Sequence, residues 1–467
     1  MMSTLTLVAQ LWITDPTSAS NSPSPSQLLA RTEPLPPPSP GSPAAPGTQA
    51  FVVNPAKTFQ TIDGFGASMT DASAYVLMKL PQADRDKVME LFFGKDGLRI
   101  SLLRQPMGAS DFAKSVYSYD DLPAGQTDPE LKKFSLDRER EAILPLLKQA
   151  KALNPELRFM GSPWSPPAWM KTGGTMLGQF GGVLKPEFYQ SYAQYFVKFI
   201  QGYAAEGLPV RWVTPQNEMD YGPLAYPGMK WSIDEEATFV REALGPALEK
   251  AQLDTKILVY DHNWDKPEFP EAMLDDPDTA KYIAGTAWHY YGGSSKVMET
   301  FAAEYPDKGQ WFTEGGSGKW IAGDKFAGQF ADGIQHAVNI CSFGGKSFIW
   351  WNLALDQING PIVYPNTANY GLIKVNTSNK TVATPYRAGF YTLGHFSKFV
   401  QPGAVRVEVS GDRSEVIAVA FRNPDGKLVA VFANLTAASV PVTVAQGEGG
   451  FSLTLPGQGA ATAVWKP

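Results

Sequence analysis

Two glutamates in this chain end apolar runs in the same way. Trp212-Val213-Thr214-Pro215-Gln216-Asn217-Glu218 passes from aromatic and branched residues to a polar tip, and Trp311-Phe312-Thr313-Glu314-Gly315-Gly316 repeats the passage 96 residues later. Two carboxyl groups held about 5 Å apart can cleave a glycosidic bond with retention: one protonates the leaving oxygen while the other attacks the anomeric carbon. One glutamate at a strand end is more often a cap or a surface ion pair; two with these neighbours favour chemistry. Asn217 adds an amide that can hold a sugar hydroxyl beside the scissile bond. Arg104, within Leu102-Leu103-Arg104-Gln105-Pro106, supplies a cation that would keep a neighbouring nucleophile ionised. The acid needs the opposite tuning. Trp164, Trp169, Trp350 and Trp351 lie at or just past the ends of strand-like runs, where they could wall a low-dielectric pocket and stack on a sugar.

Other motifs are weaker. Gly64-Phe65-Gly66 starts like a dinucleotide fingerprint, but Met69 stands where its third glycine belongs. Gly345-Lys346-Ser347 ends like a phosphate loop, with Ile340 in place of its first glycine. His262, His289, His336 and His395 show no metal-ligand spacing, so neither a metal nor any other cofactor is expected. Cys341, the single cysteine, cannot form an internal disulfide and reads as core. Asn376, Asn379 and Asn434 begin glycosylation sequons, which matter only in a eukaryotic secretory host.

The elements that must position the glutamates follow from the apolar runs. Candidate strands are Gly64 to Ser68, Leu98 to Arg104, Leu157 to Pro163, Val210 to Pro215, Lys256 to Tyr260, Gly285 to Tyr290, Gln310 to Thr313 and Ser347 to Trp351. Amphipathic stretches such as Arg138 to Ala152, Pro186 to Ala205 and Ile233 to Leu253 lie between them. Eight strands alternating with helices predict an α/β fold, a (β/α)8 barrel over 63–386, with a doubly wound open sheet as the alternative. Glu218 and Glu314 then follow the fourth and seventh strands, at the end of a barrel where active sites form. After residue 387 strict alternation, as in Val405-Arg406-Val407-Glu408-Val409, predicts an attached antiparallel β-sandwich to 467. Phe51-Val52-Val53, in 50–62, is expected to lend it a strand.

Composition excludes several classes. Hydrophobic residues make up 43% and charged residues 18%, which rules out disorder as the overall state. A formal charge of −6 argues against nucleic acid as a partner. No run of about 18 apolar residues occurs, so no membrane insertion is expected. Residues 1–49 read as a short apolar start, Leu5 to Ile13, and a disordered linker, because ten prolines and seven serines between Pro16 and Thr48 cannot bury enough apolar area. Such a leader fits a secreted or extracytoplasmic protein.

From about Gln60 to Tyr391 the chain resembles glycoside hydrolase family 30, the family of glucosylceramidases and β-1,6-glucanases. The resemblance rests on Asp63-Gly64-Phe65-Gly66-Ala67-Ser68-Met69-Thr70-Asp71, Arg104-Gln105-Pro106-Met107-Gly108-Ala109-Ser110-Asp111-Phe112 and Ser162-Pro163-Trp164-Ser165-Pro166-Pro167-Ala168-Trp169-Met170-Lys171. Gln216-Asn217-Glu218, His289-Tyr290-Tyr291, Thr313-Glu314 and Trp351-Asn352-Leu353-Ala354-Leu355-Asp356 complete it. It implies a retaining hydrolase with Glu218 as acid/base and Glu314 as nucleophile, acting without a cofactor. Asp111, Trp164, Asn217 and Trp351 match positions that contact the glycone sugar. Tyr291 matches a tyrosine near the nucleophile, and Arg104 and His289 take supporting places. The implied substrate is a β-linked glucoside or glucan, cleaved by a glucosylceramidase-like β-glucosidase or by an endo-β-1,6-glucanase; xylosidase and fucosidase activities also occur among relatives. Met219, where many members have proline, and the plain Gly315-Gly316-Ser317-Gly318 bear on the leaving-group side. A carbohydrate-binding barrel without turnover is the alternative from another class.

Overall fold

The computed structural model describes residues 5–17, 30–32, 46–363, 368–384 and 386–467. Eight parallel strands form a closed ring: Gly64–Ser68, Leu102–Pro106, Arg158–Ser162, Val210–Val213, Lys256–Asn263, Ile283–His289, Gly309–Gly315 and Gly345–Asp356. The eighth pairs with both the seventh and the first, which closes the barrel and excludes the open sheet.

The two-residue period of a strand explains how the barrel carries a site. Leu102, Met160, Trp212, Leu258, Ala287, Trp311 and Ile349 point inward and pack together as an apolar plug. Two residues further along six of those strands stand Arg104, Ser162, Thr214, His289, Thr313 and Trp351, so the next layer is polar. The fifth strand differs. Tyr260 and Asp261 have φ of 76° and 46°, a left-handed kink that brings Asp261 into the polar layer. Buried Glu236 holds the kink by accepting from the Tyr260 backbone N–H at 3.3 Å.

The sandwich is built from both ends of the chain. Gln49–Thr61 pairs antiparallel with Val405–Gly411 and parallel with Val440–Gln446. The apolar start is also ordered, against the expectation of disorder. Gln10–Thr14 runs antiparallel to Ala460–Trp465, Ala30–Thr32 pairs beside it, and Leu5–Thr6 lies parallel to Gly449–Leu455. A strand with partners elsewhere in the chain needs no local apolar bulk, and linker-like flanks hide it. Most of the proline- and serine-rich stretch lies outside the described residues.

Two further features escaped the pattern. Helix Ala388–Ser397 starts beyond the boundary expected at 387, yet it covers the barrel: Phe396 packs on Phe65 and on Phe421 of the sandwich, and Phe390 on Phe92. All ten of its residues are buried, so it has no amphipathic stripe to announce it. A hairpin of Asn369–Asn376 and Thr381–Ala383 extends the eighth strand, and Ser317–Gly318, just after Glu314, pairs with it. Among the described residues no helix is long and apolar enough to cross a membrane.

Candidate active site

Arg104 organises the polar layer from the centre of the barrel. Its buried guanidinium donates to Glu314 Oε2 at 2.7 Å, Asn217 Oδ1 at 2.7 Å, Asp261 Oδ2 at 2.7 Å and Ser162 Oγ at 3.1 Å. Trp164 and Trp351, stacked at 4.9 Å, cover it with its Cζ 4.8 Å and 5.7 Å from their rings. A planar fork suits such a hub, because one lysine nitrogen could not reach four acceptors in these directions.

Asp261 is the second hub. Oδ2 also accepts from Ser162 and Thr214 hydroxyls at 2.8 and 2.7 Å, and Oδ1 from Thr313 Oγ1 at 2.6 Å and His289 Nε2 at 3.0 Å. Burial would raise its pKa, but Arg104 and then His289 hold it far below the ordinary carboxylate range. It is a permanent anion. His289 has Asp261 on one nitrogen and Glu218 Oε1 on the other, at 3.2 Å from Nδ1. Two acceptors call for two donors, an imidazolium. Burial opposes that charge, yet Glu314, Asp261 and Glu218 outweigh it and raise the pKa to about 9.

Glu218 leaves the fourth strand through Pro215, Gln216 and Asn217. Its φ is 48°, fixed where its N–H donates to Asp261 O at 2.9 Å. Glu314 faces it: carboxylate oxygens of the two lie within 4.8 Å of each other. Both Glu314 oxygens accept, Oε2 from Arg104 and Oε1 from the Tyr291 hydroxyl at 3.0 Å. The pair titrates as a unit. Burial raises Glu314, opposed by His289 and Arg104. At Glu218 burial is outweighed by His289, His262 and Arg104, which lower it. In the free pocket Glu218 therefore sits ionised against an imidazolium that can return a proton to it.

Asp111, Tyr291, Trp351, Glu218 and Glu314 line one cavity of about 350 Å³. Burial, then the charges of Glu314 and Glu218, push Asp111 well above the ordinary range, and among the described residues its Oδ1 has no partner. The structure thus brings together Glu218, Glu314, Asp111, Trp164, Asn217, Tyr291, Trp351, Arg104 and His289. Trp169 and Trp350 stand apart. The Trp169 indole donates to Asp120 O, and Trp350 faces the outer helices, where a Cβ on Gly389 would come 2.6 Å from its ring. Asp261, His262 and Asn263 were missed; the signal was a polar triplet straight after the apolar run Ile257 to Tyr260. Tyr221 and Trp320, 47% and 49% exposed, also line the cavity and carry aromatic surface to its mouth.

Glu218, His289 and Glu314 place possible ligand atoms within 4.8 Å of one another. Both nitrogens of His289 face carboxylates and its pKa stands at about 9, so near neutrality it offers no lone pair to a metal ion.

Models of known families match most of the chain: the glycosyl hydrolase family 30 TIM-barrel domain over residues 62–400 and the family 30 β-sandwich domain over 403–463. A mouse lysosomal acid glucosylceramidase is 32% identical, the match covering 89% of this chain and 83% of that protein. An endo-1,6-β-D-glucanase of Neurospora crassa is 33% identical over 88% of this chain and 86% of its own. A solved endo-β-1,6-glucanase superimposes with a TM-score of 0.87 at 30% identity, covering 98% of this chain and all of that one. With both domain models matched in order and relatives aligned over most of their length, the chain belongs to glycosyl hydrolase family 30 and is an O-glycosyl hydrolase.

Proposed function

We propose that this hydrolase cleaves β-linked glucosides with retention, Glu314 attacking the anomeric carbon and Glu218 protonating the leaving oxygen. The carrying observation is the carboxylate separation, within 4.8 Å. With one oxygen of each group so close, the pair falls on the short side characteristic of retention, below the roughly 6.5–9.5 Å that lets an inverting enzyme hold both the anomeric carbon and an attacking water between its carboxyl groups. Arg104 and Tyr291 aim the Glu314 carboxylate and favour its charge. As a leaving oxygen nears Glu218, His289 Nδ1, 3.2 Å from Oε1, can pass its proton to it. Once Glu314 is esterified its charge is gone, so Glu218 loses a repelling neighbour and stays ionised; it then takes the proton of the attacking water as that water displaces Glu314 from the anomeric carbon, and returns it to His289. Trp164, Trp351, Asn217 and Asp111 form the floor and wall for the glycone.

On the leaving-group side the reading is a glucosylceramidase-like β-glucosidase, supported by the relative of that kind and by the exposed Tyr221 and Trp320. A second reading, endo-β-1,6-glucanase, is favoured by the solved neighbour of that activity, which matches nearly the whole chain. A panel of glucosylceramide, β-1,6-glucan and aryl β-glucoside separates them, with product anomers followed by NMR. Glu314→Gln should abolish turnover of every substrate, and Glu218→Ala should spare an aryl glucoside with an acidic phenol far more than the natural bond. Equal losses in Glu218→Ala, or an inverted first product, would refute the roles.

A further inference from the structure

A second cavity, of about 640 Å³, opens at the opposite end of the barrel, where the strands begin and the sandwich docks. Gly309 and Gln310 of the seventh strand, Gly344 and Lys346 near the start of the eighth, and Phe59, Gln60 and Arg406 of the sandwich line it. Gly309 and Glu314 are five residues apart on one strand, so roughly 17 Å separates this cavity from the catalytic pair.

Arg406 is held in place but not neutralised. Its Nε donates to Gln60 Oε1 at 2.8 Å, and Gln60 is itself fixed by donating to Cys341 O and Gly345 O at 2.6 and 3.0 Å. Its guanidinium lies 3.6 Å over the Phe59 ring. Among the described residues neither terminal nitrogen has a hydrogen-bond partner, and no carboxylate lies in ion-pair range. Arg413 is a close second cation. It spends Nη2 on Ser342 Oγ, a cavity residue, and on Ala418 O, again without a carboxylate partner. Burial lowers the pKa of both arginines, Arg406 to about 10; the charge of Arg413 also opposes Arg406, with Cys341 and Glu299 in its favour, and Glu299 favours Arg413. A half-buried guanidinium with free terminal nitrogens and no carboxylate partner, with the exposed Arg413 adding a second positive charge nearby, favours an anion that joins it.

We propose that this seam cavity binds a small ligand carrying one phosphate or carboxylate group, gripped by Arg406 and Arg413, with its remaining body in the space toward Phe343. The volume exceeds what a bare oxyanion fills and falls within the range of small-molecule sites. Lys346 is engaged by Asp63 at 3.6 Å and Lys308 by two carbonyls, so neither supplies the grip. Glu299 and Asp307, also in the lining, oppose an anion and set its affinity. The catalytic cleft, with Glu218, Glu314 and Asp111, repels the same probes, which keeps the two sites distinguishable.

Calorimetric titration of the full chain with inorganic phosphate, glucose 6-phosphate and glucuronate, and with glucose as the neutral control, tests the proposal. One site per chain is expected for the anions and none from this cavity for glucose. Tighter binding of the sugar anions supports a sugar-borne group, and equal binding supports a free oxyanion; both uphold the site. Arg406→Gln should weaken binding about tenfold or more, as the loss of a charged hydrogen bond does. Arg413→Gln should weaken it too, and Glu299→Gln should tighten it, so the sign test survives if one variant fails to fold. Turnover of an aryl glucoside should be unchanged in all three. No anion binding, or affinities indifferent to Arg406, Arg413 and Glu299, would overturn the proposal.

Discussion

The structure predicts that His289 sets the alkaline edge of activity. Its pKa is raised, so the favourable interactions of its charged form are complete below the ordinary imidazole range and fade as pH climbs through about 9. kcat/KM should therefore fall above pH 9, and His289→Asn should flatten that limb while lowering the plateau. A limb unchanged in the variant would assign it to another group. Arg104→Lys keeps the charge but loses the fork that joins Glu314, Asn217 and Asp261. Steady-state kinetics should show kcat lowered by on the order of 10²-fold or more, with buried acceptors left unpaired. At this scale the sequence was informative where side chains end strands, as with Glu218 and Glu314. It was least so for Asp261, whose role depends on the left-handed kink at Tyr260 and on burial beneath Arg104 rather than on neighbours in the chain.

The loops after the third and fourth strands act together, and Lys171 joins them. Its buried Nζ lies within hydrogen-bond range of Ser165 Oγ at 3.2 Å, Met176 O at 3.3 Å and Gly228 O at 2.6 Å, while Gly178 N–H and Gly228 N–H bond across the two loops. Lys171→Met should loosen the loop that carries Tyr221 and raise KM more than it lowers kcat. Burial pushes the Lys171 pKa down to about 7. Between pH 7 and the ordinary lysine range the unfolded chain binds a proton that the folded chain does not. Stability should thus rise with pH there, by up to about 1.4 kcal/mol per unit, and denaturant titrations of the methionine variant should lack that slope. The barrel is less forgiving. A Cβ on Gly66 would meet Leu102 O at 1.7 Å, so Gly66→Ala should cost more than about 3 kcal/mol and show as lost soluble yield. All eight barrel strands could be found from apolar runs, whereas the hairpin at Asn369–Asn376 could not, because its partner strand is supplied by the barrel.

Barrel and sandwich are joined around helix Ala388–Ser397 and the chain's beginning. His395, fully buried, has Thr462 Oγ1 2.9 Å from Nδ1 and Thr14 Oγ1 2.8 Å from Nε2, linking the last barrel helix to two sandwich strands. Burial holds its pKa down at about 3. Below the ordinary imidazole range the unfolded chain takes up a proton first, so this link loses stability as pH falls toward 3, by up to about 1.4 kcal/mol per unit. Thr14→Val should lower the unfolding free energy by about 1–3 kcal/mol, and deleting residues 1–15 by more, since Ala460–Trp465 then becomes an uncovered edge. The sandwich's two-residue alternation was plain from Val405 onward. Leu5–Thr6 and Gln10–Thr14 were not, because their sandwich partners lie more than 400 positions away.

The most direct test is to trap the intermediate with a slow 2-fluoro glucoside and locate it by mass spectrometry of the digested protein. A covalent glycosyl adduct on the peptide carrying Glu314, absent from Glu314→Gln, is the expected result. Turnover that proceeds without any adduct, or an adduct on another carboxylate, would contradict the roles assigned to the two glutamates.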